Sequence, residues 1–255
     1  MPAAHQAALS KLPALTFLFW VMKIAATTLG ETAGDLLSMT LNVGYLVSTL
    51  ILMSGFVVVL VGQLRAKRYI PFLYWAVILA TSTAGTTMSD FMNRTLGLGY
   101  ATGSAILLAA LLAVLVLWRI VERSLSVSDV RSFRAELFYW AAILVSNTLG
   151  TSLGDYLADD SGLGFAGGAA LIGGVIALVV LAYRFTSLSR VALFWAAFVL
   201  TRPFGATMGD VLTKGRDEGG LGVGTIGSSA VLAAILIAVI LYTMRRDAAA
   251  ASPKR

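Results

Sequence analysis

The sequence has no cysteine and a single histidine, His5, near its start. Disulfides, thiolate metal sites and cysteine nucleophiles are therefore excluded. So is any histidine-based zinc site or catalytic triad in the body of the chain. Charge is scarce too, at 13% of residues, where soluble domains carry roughly one quarter. There is no metalloprotease motif, no nucleophile paired with a base and no phosphate loop, so the chain does not read as an enzyme. The net charge of +6 does not point to nucleic acid, because the basic residues lie beside apolar runs instead of forming a patch of their own.

What is present in quantity is apolar sequence, 58% of the chain. Runs at 46–61, 105–117, 169–181 and 231–241 belong to stretches of about twenty residues, the length that crosses a bilayer. The fold expected is all-α, a polytopic membrane bundle of eight transmembrane helices. These are placed at 13–37, 43–63, 71–92, 99–118, 136–157, 165–183, 191–212 and 223–244. No basic segment with a small-residue cleavage site precedes the first run, which is expected to remain as a span. Residues 1–12 form a tail, 13–118 a first half, 119–135 a linker and 136–244 a second half. Residues 245–255 form a tail expected to be disordered.

Within this background one stretch, Thr27 to Asp35, occurs four times in related form. Its relatives end at Asp90, Asp155 and Asp210. A tryptophan lies fifteen residues before each aspartate: Trp20, Trp75, Trp140 and Trp195. A Gly-x-Gly or Asn-x-Gly step follows, at 42–44, 97–99, 162–164 and 220–222. The Trp-to-Trp spacings of 55, 65 and 55 put ten extra residues in the central linker. Repeats one and three share Thr-Leu-Gly, and repeats two and four share Thr-Met-x-Asp. Two successive duplications give the A-B-A-B order.

Fourteen of the nineteen Lys and Arg lie in the tails and inter-repeat loops, and eight of the thirteen acidic residues on the opposite side. The positive-inside rule then makes both termini cytoplasmic. Two helices per repeat is an even number, so all four repeats are parallel and their aspartates share one level.

Four tandem two-helix repeats, each with Trp-x14-Asp spacing and a Gly-x-[Thr/Ser]-x-[Gly/Ser]-Asp helix end, resemble a bacterial membrane family. That family is built from four copies of a membrane repeat of unknown function. The resemblance covers residues 13–244. It implies an eight-span bacterial inner-membrane protein and brings no activity with it.

The motif residues allow two readings each. Gly30/Gly34, Gly85/Ser89, Gly150/Gly154 and Gly205/Gly209 are small-xxx-small pairs that let helices approach. The hydroxyls of Thr28, Thr32, Thr87, Ser152 and Thr207 make a stripe, either bonded between helices and back to carbonyls or lining a path. Asp35, Asp90, Asp155 and Asp210 either cap the following helix or form an acidic ring that selects cations. The tryptophans fit an aromatic belt or, less simply, a cage for an organic cation.

Departures from the repeat are more informative: Lys23, Glu31, Asn147 and Arg202. At 1.5 Å per residue Lys23 lies roughly 18 Å inward of Asp35, Glu31 about 6 Å inward of it, and Arg202 about 12 Å inward of Asp210. Lys23 and Arg202 project on the glycine faces. They are either halves of internal ion pairs between repeats or working groups of a site.

The resulting expectation is a transport protein for a small hard cation, with a divalent metal and proton coupling among the options. The oxygen-only inventory favours such ions. Candidate ligands are Glu31, Asp35, Asp90, Asp155, Asp210, Thr28, Thr32, Thr87, Asn147, Ser152 and Thr207, the five carboxylates being the candidate metal ligands. Lys23 and Arg202 are the countercharges or proton-linked groups. No organic cofactor is expected; the expected partners are the bilayer and a small inorganic ion, with a homo-oligomer compatible. The alternatives are an anion transporter using Lys23 and Arg202, or a non-transporting scaffold or sensor.

Overall fold

A computed structural model describes residues 11–251. Those residues form eight long helices, with no strand among them. They are α1 (Phe17–Asp35), α2 (Tyr45–Arg65), α3 (Pro71–Asp90), α4 (Tyr100–Glu122), α5 (Phe133–Asp155), α6 (Gly164–Phe185), α7 (Arg190–Thr213) and α8 (Thr225–Ala251). Five of them (α2, α4, α6, α7 and α8) are long and apolar enough to cross a membrane. The chain is thus an all-helical bundle of multi-pass membrane character.

The odd-numbered helices form a closed inner ring, in which α1 packs on α3, α3 on α5, α5 on α7 and α7 on α1. The even-numbered helices lie outside. Each packs chiefly on the inner helix of the next repeat: α2 on α3, α4 on α5, α6 on α7, and α8 back on α1. The reason is in the side chains. The outer helices carry the exposed large apolar residues, Leu50, Val58, Leu112, Leu178 and Ile235 among them. The inner helices carry the small and polar ones, which only a protein interior can satisfy.

Glycines set the ring's spacing, and they do so cyclically. A Cβ on Gly34 of α1 would stand 2.9 Å from the Thr86 Cβ of α3. One on Gly85 of α3 would stand 3.0 Å from the Thr148 backbone nitrogen of α5. One on Gly154 of α5 would stand 3.1 Å from the Ala206 Cβ of α7, and one on Gly209 of α7 2.9 Å from the Glu31 Cβ of α1. The α1–α3, α5–α7 and α7–α1 contacts share one register, and Gly85 meets α5 one turn deeper, beside Asn147, as Gly30 meets Ser82.

The tryptophans lock the other end of the ring. Each meets the aromatic residue that precedes the tryptophan of a neighbouring repeat: Phe19–Trp75, Tyr74–Trp140, Tyr139–Trp195 and Phe194–Trp20, with centroids 5.6, 5.6, 6.4 and 5.9 Å apart. Trp75, Trp140 and Trp195 are buried. The aromatic belt expected from sequence is therefore corrected. These rings face inward because the outer helices cover them.

Several boundaries also differ from expectation, and α4 runs on to Glu122 and α5 starts at Phe133, both inside the linker expected over 119–135. Helix α1 starts at Phe17, where the Thr16 hydroxyl accepts the Phe19 N–H at 3.3 Å, and not at Pro13. Helix α8 runs on to Ala251, since its alanine-rich end is a strong helix former; only 252–255 of that tail lie outside the described residues, as do 1–10 of the N-terminal tail. In repeat four the glycine step is 222–224. Val223 N–H donates to Leu212 O there as Val43 N–H does to Leu37 O, and Gly222 and Gly224 take positive φ of 71° and 79°.

Candidate functional site

The ring's shared register puts equivalent residues of α1, α3, α5 and α7 in successive layers. Four residues apart on a helix means one face. Counting inward by fours from each aspartate gives the layers. The first is Asp35, Asp90, Asp155 and Asp210. The second is Glu31, Thr86, Thr151 and Ala206. The third is Thr27, Ser82, Asn147 and Arg202. The fourth is Lys23, Ile78, Ile143 and Phe198. All of these are buried.

Just beyond the first layer, α1, α3 and α5 each pass into one π-helical turn, at Leu36–Thr40, Phe91–Thr95 and Tyr156–Asp160. Helix α7 instead continues to Thr213. The starts of α2, α4 and α6 have no side-chain cap, so the capping role considered for these aspartates is not what holds them at those three junctions. They face one another instead, close enough for mutual repulsion among Asp35, Asp90, Asp155 and Asp210 and with Glu31.

Two basic residues from the connecting segments lie over this layer. Lys214 Nζ stands 3.7 Å from Asp35 Oδ2 and 3.6 Å from Asp210 Oδ1. Arg94 Nε stands 3.2 Å from Asp90 Oδ1, with Asp159 Oδ2 3.9 Å from Nη2. Burial pulls the Lys214 ammonium down, but Asp210 and Asp35 more than offset it and hold the group above its ordinary value. Arg94 is likewise raised, burial being outweighed by Asp90. Both are cations at neutral pH. Glu31, Asp35 and Asp210 each offer an oxygen within 4.8 Å of the others. That is about twice a calcium–oxygen distance, so one hard cation fits among the three. Asp90 and Asp155 are not in that group.

The second and third layers close around an ion pair. Arg202 Nη1 stands 2.9 Å from Glu31 Oε2. Arg202 Nη2 donates to Thr86 Oγ1 and Thr151 Oγ1, both at 2.6 Å. Both hydroxyls in turn lie 3.2 Å from Glu31 Oε2. Backbone carbonyls complete the set, Thr27 O at 3.4 Å from Nη1 and Ser82 O at 3.3 Å from Nη2. All four inner helices thus converge on one guanidinium. Asn147 spends its amide on Thr81 Oγ1 at 2.8 Å.

The fourth layer is apolar except for Lys23. Its Nζ has no hydrogen-bond partner and lies 4.2 Å from the centroid of the Phe198 ring. Below it the Tyr74–Tyr139 hydroxyl pair, at 2.7 Å, and the tryptophan ring close the bundle.

The hydroxyl stripe singled out from sequence lies one position round from the axis. Thr28, Thr87 and Thr207 bond back to their own helices, at Ile24 O, Thr83 O and Pro203 O. Thr32 accepts from Ser229 of α8, and Ser152 from Asn93 and Ser104. They join the inner ring to its surroundings. The axial hydroxyls Thr86 and Thr151 were not picked out in the sequence. Their signal was available: they stand four residues before an aspartate, as Glu31 does.

A family model described as Repeat of Unknown Function (DUF347) matches four segments of the chain, 18–69, 73–124, 138–189 and 193–248. Neither the curated proteins nor the solved structures yield a match.

Proposed function

The chain belongs to the Repeat of Unknown Function (DUF347) family, and from that premise we propose that it is a membrane transport protein for a small hard cation. The observation that carries the reading is the axial column of oxygens. It runs from the aspartate layer through Glu31, Thr86 and Thr151 to the Arg202 head. Five carboxylates there face four basic groups, Arg94, Lys214, Arg202 and, one layer deeper, Lys23, so the fully ionised column still keeps a negative surplus that attracts positive ions. Carboxylates and hydroxyls suit Mg²⁺, Mn²⁺, Ca²⁺ or Na⁺.

All eight helices span the membrane in this reading. The inner ring needs no apolar surface because the outer helices screen it from lipid. Both termini are cytoplasmic by the placement of basic residues, which puts the aspartate layer at the extracytoplasmic mouth. A bacterial inner membrane follows from the family resemblance. The aromatic lock closes the cytoplasmic end, so passage requires the ring to rearrange, as in a carrier. Lys23 and Arg202 act as countercharges, one of them exchanging a proton.

A second reading, anion transport, has in its favour the Lys23 nitrogen without a hydrogen-bond partner. Against it, the Arg202 head is already taken by Glu31. Flux into liposomes separates the two. Asp35→Asn, Glu31→Gln and Lys23→Ala should each cut cation flux, and unchanged cation flux in all three rejects the cation reading.

A further inference from the structure

The groups that hold the Arg202 head come from three helices, and none of them is α7. Glu31 Oε2 and Thr27 O belong to α1, Thr86 Oγ1 and Ser82 O to α3, and Thr151 Oγ1 to α5. Helix α7 contributes only Ala206 at the level of Glu31, and the small side chain leaves room for the arginine of the layer beneath. The cage is therefore complete without α7, which threads a cation of its own into it.

The fit is good at the terminal nitrogens and poor at the tether. Nη1 and Nη2 are both engaged, whereas Nε is buried with no acceptor. A buried N–H left unpaired is costly, so these oxygens match the free end of the guanidinium better than they match an arginine.

We infer that this cage is a binding site for a free, compact monovalent cation with N–H donors, guanidinium- or ammonium-like, and that the Arg202 head is its tethered competitor. The monovalent class follows from charge. One carboxylate and four neutral oxygens balance a single positive charge, and exchanging the Arg202 head for such an ion leaves the buried charge unchanged. A divalent ion in the same place would add an uncompensated charge inside a low-dielectric ring. A part for this cage in transport rests on the reading above; occupancy of the cage does not.

The test uses the purified full chain and thermal unfolding. Arg202→Ala empties the cage, and about 20 mM guanidinium chloride should raise its Tm by about 4 °C if the dissociation constant is about 1 mM. Ammonium chloride should act in the same direction. Tetramethylammonium and magnesium, at matched ionic strength, should not. Wild type should not respond, its cage being filled, and neither should Arg202→Ala with Glu31→Gln, which lacks the carboxylate. If Arg202→Ala folds only when purified in guanidinium, that is the same positive result, read as a monodisperse peak in gel filtration. If it folds in neither medium, Arg202→Gln takes its place under the same criteria. A folded variant indifferent to every monovalent cation, a wild type that responds equally, or a response to magnesium alone overturns the proposal. A Tm shift without liposome flux keeps the cage and rejects transport; flux without a shift does the reverse.

Discussion

Removing one half of the Arg202–Glu31 pair should cost far more than removing both. Glu31→Ala leaves the guanidinium fully buried among two hydroxyls and two carbonyls, with no carboxylate within reach of Nη1. Breaking a buried ion pair in this way costs about 3–5 kcal/mol, because the remaining charge stays uncompensated. For a chain of this length each kcal/mol moves Tm by about 2–4 °C, so the expected drop is about 10 °C. Arg202→Met alone strands the Glu31 carboxylate between Thr86 and Thr151 and should cost about the same. The double variant Glu31→Met with Arg202→Met replaces both charges with apolar chains of similar length and should return to within about 1–2 kcal/mol of wild type. The coupling in the double-mutant cycle is then large, about 3 kcal/mol or more. Tryptophan fluorescence during thermal unfolding in detergent reports it directly, since Trp75, Trp140 and Trp195 sit in the ring's aromatic lock. Additive losses, with the double variant as unstable as the two singles combined, would refute the account of the pair as one closed unit.

Lys23→Met should raise Tm, because it removes a buried amino group that has no hydrogen-bond partner and keeps the volume; a lower Tm would mean that its contact with the Phe198 ring is stabilising. Gly209→Val would place its Cβ 2.9 Å from that of Glu31 and should destabilise by about 1–3 kcal/mol or more through overpacking of the α7–α1 interface, measured as loss of monodisperse protein. Trp140→Ala should cost about 3–5 kcal/mol and Trp20→Ala less, since Trp140 is buried and Trp20 is only partly so; equal thermal shifts would restore the lipid-facing belt. Lys214→Met removes a cation held near Asp35 and Asp210 and should tighten cation binding at the mouth about 2–5-fold at low salt, an effect that fades as salt rises; isothermal titration at two ionic strengths checks both halves.

The helices, the repeats and the equivalence of the four aspartates were legible in the sequence because each rests on spacing along one chain. Apolar runs of span length mark α2, α4, α6 and α8, and the Trp-x14-Asp spacing marks the inner helices. What spacing could not fix was which side of each helix faces the axis. Positions three and four before an aspartate are neighbours on the helix surface, and both carry hydroxyls in two repeats, Thr86/Thr87 and Thr151/Ser152. The choice falls to the glycines. Gly34, Gly154 and Gly209 sit against the next inner helix at Thr86, Ala206 and Glu31, each four residues before its aspartate, and this turns the fourth position, not the third, to the centre. The tryptophans were misplaced for a related reason. Their distance from the helix start is the same for a belt and for an inward lock, and only the outer helix borrowed from the preceding repeat decides between them.

The same geometry explains why a site arises where the repeats stop agreeing. In a closed ring of equivalent helices every axial position faces its three copies, so a single substitution there meets the others without any further arrangement. Threonine at the second layer and a small polar residue at the third leave room on the axis, as at Thr86, Thr151, Thr27 and Ser82. A carboxylate in one repeat then needs a cation within reach, and Arg202, one layer below on the helix that closes the ring onto α1, supplies it. Glu31 and Arg202 belong to the first and last repeats, and they meet only because the ring closes. An open arrangement of the same eight helices would leave each charge without its partner, at a cost of a few kcal/mol or more. The pair therefore favours closure of the ring, and whatever cation displaces Arg202 must replace that contribution as well as fill the cage.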